Sequence, residues 1–193
     1  MKRFVALVGA LVLVIAVAGV AIAKGDNDRK SFKTHLDGYH EVPAISTTAT
    51  GDLKLSVNPA NTTITYTLTF SALQGGSAIG AHIHFGQAAV NGGVVAFLCG
   101  GGGKPACPAA GGTVTGTIVA ADIQAVPAQG IAAGDLAAVL RAVRAGVTYA
   151  NIHSTNFGGG EIRGQINGHG NNGHGNNGHG NNGHGKNGQG KND

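Results

Sequence analysis

Two histidines stand two apart in the stretch AHIHFG, as His82 and His84. In an extended chain, residues i and i+2 lie about 6.5–7 Å apart on one face, so both imidazoles project together. Metal bonds of about 2.0–2.1 Å let such a pair converge on one copper or zinc ion. A third ring would come from His153, which shares a face with Tyr149 and Asn151 in a later strand, provided that strand lies beside the first. His35, His40 and Glu41 are further candidates near the start of the domain.

The same residues support a second reading. His82, His84 and His153, with Asn151 and with Glu161, Arg163 and Gln165 on one face of the last strand, would form a hydrogen-bonded polar layer. Imidazole nitrogens would then satisfy one another or backbone groups, and Glu161 would pair with Arg163 on the sheet surface. Residue types alone leave both readings open.

More histidine follows. His169, His174, His179 and His184 recur every five residues in near-copies of Asn-Gly-His-Gly-Asn. With no apolar residue to bury, residues 168–193 cannot offset the entropy of ordering and are expected to be disordered. Imidazoles on such a chain can wrap a borderline ion, with affinity fading as pH falls through about 6.5, and the same composition serves as a solubilising spacer.

The elements that position these groups are strands. In TGDLKLSVNPANTTITYTLTF, Leu53, Leu55 and Val57 share a face, a turn follows at Asn58-Pro59-Ala60-Asn61, and Ile64, Tyr66, Leu68 and Phe70 alternate with threonines. That is a hairpin of two half-buried strands. Further strands are predicted over Phe32–Tyr39, Ile79–Phe85, Val94–Leu98, Thr113–Ala120, Val147–His153 and Glu161–Asn167. One segment has helical spacing instead: Leu136, Val139, Leu140 and Val143, with Asp135 in the first turn and Gly146 at the C-terminal cap.

The ends and the cysteines speak to location. Met1-Lys2-Arg3 precedes an apolar run from Phe4 to Ala23, which reads as a secretory leader over 1–23 or an uncleaved anchor, followed by a linker over 24–31. An anchor would be the one expected tie to a membrane. Cys99 and Cys107, the only two cysteines, are expected to form a local disulfide in an exported protein. The net charge of +4 is modest, and basic residues do not cluster around aromatics, which argues against a nucleic-acid partner. There is no nucleophile elbow, and the run of glycines before Lys104 lacks the Ser or Thr of a phosphate loop.

Taken together, LDGYHEVPAISTTATGDLKLSV, GAHIHFGQAAVNGGVVAFLC, GTVTGTIVAADI and AGVTYANIHSTNFGGGEIRGQI, in that order, resemble the CHRD domain, the module named after chordin. The resemblance implies an all-β, immunoglobulin-like Greek-key sandwich or barrel over 32–167, here with one short helix, distantly similar to Cu/Zn superoxide dismutase and without a settled activity. Copper in that enzyme is held partly by a His-x-His strand. A dismutase would need two metal spheres, whereas after His84 the next histidine is His153 and then only the tail. The expectation is therefore an exported, non-catalytic binding module for an extracellular protein or polysaccharide. The alternative is an extracytoplasmic copper, zinc or nickel protein that uses the domain histidines and the tail.

Overall fold

The computed structural model describes residues 29–167. The leader, most of the linker, and the tail with His169, His174, His179 and His184 lie outside the described residues.

Eight strands form one antiparallel sheet: β1 Ser31–Asp37, β2 Thr50–Val57, β3 Ile64–Ser71, β4 Ala78–Phe85, β5 Gly93–Cys99, β6 Gly111–Ile118, β7 Thr148–Ser154 and β8 Ile162–Gln165. Their order is β5-β4-β7-β8-β1-β2-β3-β6, so the β3–β4 and β6–β7 connections pass over neighbours in Greek-key fashion. The sheet curls into a nearly closed barrel. Among the described residues no helix is long and apolar enough to cross a membrane.

Alternation builds the interior. Leu53, Leu55, Val57, Ile64, Tyr66, Leu68 and Phe70 from the hairpin pack with Ile83, Leu98, Ile118, Ile152 and Ile162, all at most 4% exposed. Fully burying one such Leu or Ile side chain contributes about 1.5–3 kcal/mol. Three strands end earlier than periodicity predicts: β1, β6 and β8, the last at Gln165, with Asn167 keeping only an isolated bridge to Lys33. Asp37 turns its carboxylate back onto Tyr39 N at 2.9 Å and His40 N at 3.1 Å, so the chain leaves β1 for a single 3-10 turn and Tyr39 is exposed. Asp122 likewise accepts from Val119 N at 2.8 Å and stops β6 at Ile118.

The seam between β5 and β6 is closed by side chains. Tyr66 donates its hydroxyl to Leu98 O at 2.7 Å, and its ring lies over Gly116, where any Cβ would collide with it. Cys99 and Cys107 form the disulfide, and Lys104 from the same loop reaches Thr117 O at 2.6 Å and Asp122 Oδ1 at 3.0 Å. The bridge spans a sequence separation of 8, which makes its loop-closure contribution about 2.5 kcal/mol. Replacing both cysteines by serine is expected to lower the unfolding free energy by that amount, read as a lower urea midpoint with little change in slope.

Helix α1, Leu136–Arg144, buries Leu136, Val139, Leu140 and Val143 in the same core. Asp135 is its N-cap, accepting from Ala138 N at 2.8 Å, and Gly146 follows the C-cap at φ 70°, a left-handed conformation that glycine adopts without strain. Arg144 binds Arg29 O at 3.4 Å and Asn61 Oδ1 at 2.7 Å, which ties the helix to the start of β1 and to the β2–β3 turn.

Candidate metal centre

β4 and β7 are direct neighbours, with His84 opposite Tyr149, His82 opposite Asn151 and Gly80 opposite His153. Ala81, Ile83, Ala150 and Ile152 point into the core, so the histidines, Tyr149 and Asn151 share the outer face of the barrel. That face is not bare. The β4–β5, β7–β8 and β1–β2 connections fold over it, leaving His84 8% and Asn151 3% exposed. Pairing of β4 with β5 slips at Ala81/His82 and again at Ile83/His84, irregularities of the kind that re-aim side chains.

The three rings converge. One nitrogen from each of His82, His84 and His153 lies within 4.8 Å of the other two. His82 Nδ1 is 3.0 Å from His153 Nε2. Nitrogens bound tetrahedrally at about 2.05 Å stand about 3.3 Å apart, so a small inward movement of His84 completes the spacing. His35 and His40 are not part of this group: they are exposed and pair with Asp52 at 3.2 Å and Asp37 at 2.8 Å.

Hydrogen bonds fix the tautomers. His84 Nδ1 lies 2.9 Å from Gly92 O and His153 Nδ1 lies 3.0 Å from Gly158 O, so each Nδ1 carries the proton and each Nε2 keeps a lone pair. In His84 that Nε2 is buried without a partner. Outer contacts of this kind orient metal-bound imidazoles and raise their basicity. Burial, reinforced by the charges His153 and His84 would carry, lowers the pKa of His82 to about 4. Burial also lowers those of His84 and His153 against the opposing pull of their carbonyls. All three rings are therefore neutral, the form a metal requires.

Aromatic packing holds the rings in place. His84 stacks on Tyr149 with centroids 4.7 Å apart and planes 8° from parallel, and His82 meets Phe97 edge-on at 4.7 Å. Arg163 lies 3.4 Å from the Tyr149 centroid and donates to Asn91 Oδ1 at 3.1 Å, Gln87 O at 3.2 Å and Val90 O at 2.8 Å. It thus clamps the loop that ends at the Gly92 carbonyl. Gln165 adds a bond to Gly86 O at 2.9 Å.

The expected surface pair of Glu161 with Arg163 does not form. Glu161 is 0% and Arg163 2% exposed, and they serve different partners, because loops cover both ends of the outer face. Glu161 accepts from Thr47 Oγ1 at 2.8 Å, Gln74 N at 2.6 Å and Gly75 N at 3.1 Å. Asn151, the remaining member of the expected polar layer, stands opposite Arg163 in the β7–β8 ladder and also beside His84 and Glu41.

Glu41 is the buried acid of the site, 6% exposed. It borders a cleft of about 230 Å³ lined by Val42, Pro43, Ile45 and the 156–160 loop. Desolvation raises its pKa to about 7, with Arg163, Val42 N and Asn151 pulling the other way. The folded state thus holds a proton that the unfolded chain has released between pH 4.5 and about 7, so stability falls as pH rises through that window. Glu41→Gln is expected to match the parent at pH 4 and to be more stable by about 3 kcal/mol at pH 8 in urea titrations, in proportion to the shift.

Two contributors had no signal in the sequence: the carbonyls of Gly92 and Gly158, which any residue would carry. Tyr149 and Arg163, by contrast, were legible as strand residues of the right face, and only their contact was hidden.

No curated protein and no solved structure is significantly similar to the chain. A family model does match: that of the CHRD domain, over residues 32–166, from the first core residue of β1 to the isoleucine that closes the core after β8. The matched span contains all of the barrel but Ser31 and every residue of the histidine site, and the chain belongs to the CHRD domain family.

Proposed function

We propose that this CHRD domain is an extracytoplasmic, non-catalytic binding module whose ligand is one transition-metal ion, held by His82, His84 and His153. The observation that carries the reading is the convergence of three imidazole nitrogens within 4.8 Å, two of the rings having their other nitrogen bonded to a backbone carbonyl. The buried Nε2 of His84 meets no donor from the protein, so the polar layer does not by itself satisfy it. Export is supported by the leader pattern of 1–23 and by the disulfide, which persists in oxidising compartments. His169, His174, His179 and His184 would add a second, weaker set of donors near the domain.

Metal analysis separates the two sets. Full chain with the four tail histidines changed to glutamine, purified without a His-affinity step, is expected to take up one equivalent of zinc or copper. Uptake below a tenth of an equivalent at saturating metal would discard the reading.

A further inference from the structure

We propose that Asn151 supplies the fourth donor through Oδ1, so that three imidazoles and one amide oxygen close a four-coordinate sphere that selects Zn(II). The inference rests on the reading of the three histidines as ligands and goes beyond it in naming the remaining ligand and the metal.

Placement comes first. Asn151 lies directly across the ladder from His82 and two residues before His153 on the same strand face, so it is the residue between two of the rings. Its side chain is beside His84 as well, and it is 3% exposed.

Satisfaction of polar atoms comes second. His84 donates through Nδ1 to Gly92 O, which makes Nε2 an acceptor, and Asn151 Oδ1 is an acceptor by nature. Both atoms are buried, and with His84 neutral and its proton on Nδ1 the contact between them carries no hydrogen bond; only the imidazolium form would donate across it. Two neighbouring acceptors cannot satisfy each other. Leaving both bare costs about 1–3 kcal/mol apiece, so the arrangement calls for an electrophile that takes both lone pairs.

Orientation comes third. Glu41 Oε1 and Asn151 Nδ2 crowd the same side of Gly160, which holds φ 131° and has no room for a Cβ against that carboxyl. With Nδ2 on the side of the carboxyl, Oδ1 of the same amide faces away from it. Glu41 is thus a positioning residue for the amide, as outer carboxylates are for metal ligands elsewhere.

Ligand chemistry then chooses the ion. Cu(I) favours soft donors, and Cu(II) and Ni(II) favour square-planar or tetragonal sets, whereas Zn(II) accepts nitrogen and oxygen together in a tetrahedral one. Four protein donors leave no open position for a substrate, which fits a binding module and not a catalyst.

Co(II) substitution tests this in the full chain carrying glutamine at the four tail positions, because its visible absorption reports coordination number and donor type. The unsubstituted site is expected to give a four-coordinate spectrum. Asn151→Ala should shift that spectrum and weaken Zn(II) by at least about 10-fold, while Asn151→Asp, of nearly the same shape, should retain four-coordination and bind Zn(II) at least as tightly. Thermal melts of both metal-free variants confirm folding, and the aspartate variant carries the test if the alanine one does not fold. Unchanged spectrum and affinity in both variants would overturn the Asn151 assignment while leaving the three-histidine reading standing, and would point to a bridging water between Nε2 and Oδ1. Absence of Co(II) and Zn(II) uptake by the parent would instead overturn both.

Discussion

Glu161→Ala is expected to lower stability by about 3 kcal/mol, a large share of the 5–15 kcal/mol that holds a domain of this size together. The carboxylate is completely buried and receives the Thr47 hydroxyl and the Gln74 and Gly75 amides, with the Ser154 hydroxyl beside it. It fastens the β3–β4 crossover and the end of the β1–β2 connection to the residue that precedes β8. Truncation strands those donors in a buried site without their acceptor. Burial by itself would raise the pKa of Glu161, but the donors from Ser154, Gln74, Thr47 and Gly75 outweigh it and hold the carboxyl below its ordinary 4.5. The sign follows: this contribution is fully present above pH 4.5 and is lost as pH falls through the lower folded value. Glu161→Gln keeps the volume, so it should cost less at pH 7 and flatten the acid limb of the stability profile. Urea titrations of the three proteins at pH 7 and pH 3.5 check both statements. An alanine variant within 0.5 kcal/mol of the parent would show that the bonds to Glu161 carry no net stability.

The barrel was legible because its residues alternate. Leu53, Leu55 and Val57 against Ile64, Tyr66, Leu68 and Phe70 have only one way to share an interior, and the single 3.6-period segment could only be α1. What periodicity missed were strand ends, where the Asp37 and Asp122 carboxylates capture amides at a distance of two or three residues and so compete with the ladder. The histidine pair was legible for the same reason as the strands, since a spacing of two places both rings on one face. Their burial was not. A strand face reads as solvent-facing when it carries His, Asn, Arg and Gln, and nothing local tells that the 86–92 and 155–160 connections fold back over it. That is also why Glu161 and Arg163 look like surface partners in sequence and are instead two separate buried anchors, one for each end of the cover.

Zinc is expected to stabilise the parent domain and to leave a His84→Ala variant unmoved. A ligand that binds only the folded state at a hundred times its Kd adds about 2.7 kcal/mol, which for a barrel of this length raises the melting temperature by about 10 °C. His84 is the telling position because its Nε2 has no other partner to lose, whereas His82 and His153 also hold each other at 3.0 Å. Alanine there also removes the stack on Tyr149 and the bond to Gly92 O, so the metal-free variant should be less stable by about 1 kcal/mol. The readout is therefore the zinc-induced shift of each protein and not its starting point. His35→Ala, on the exposed ring that faces Asp52 outside the cluster, should keep the whole shift and serves as the control for zinc bound to surface imidazole. Calorimetric scans of all three, with the tail histidines changed to glutamine, decide the matter. Equal shifts in the parent and in His84→Ala would place the metal elsewhere and return the three rings to the role of a polar layer beneath the loops.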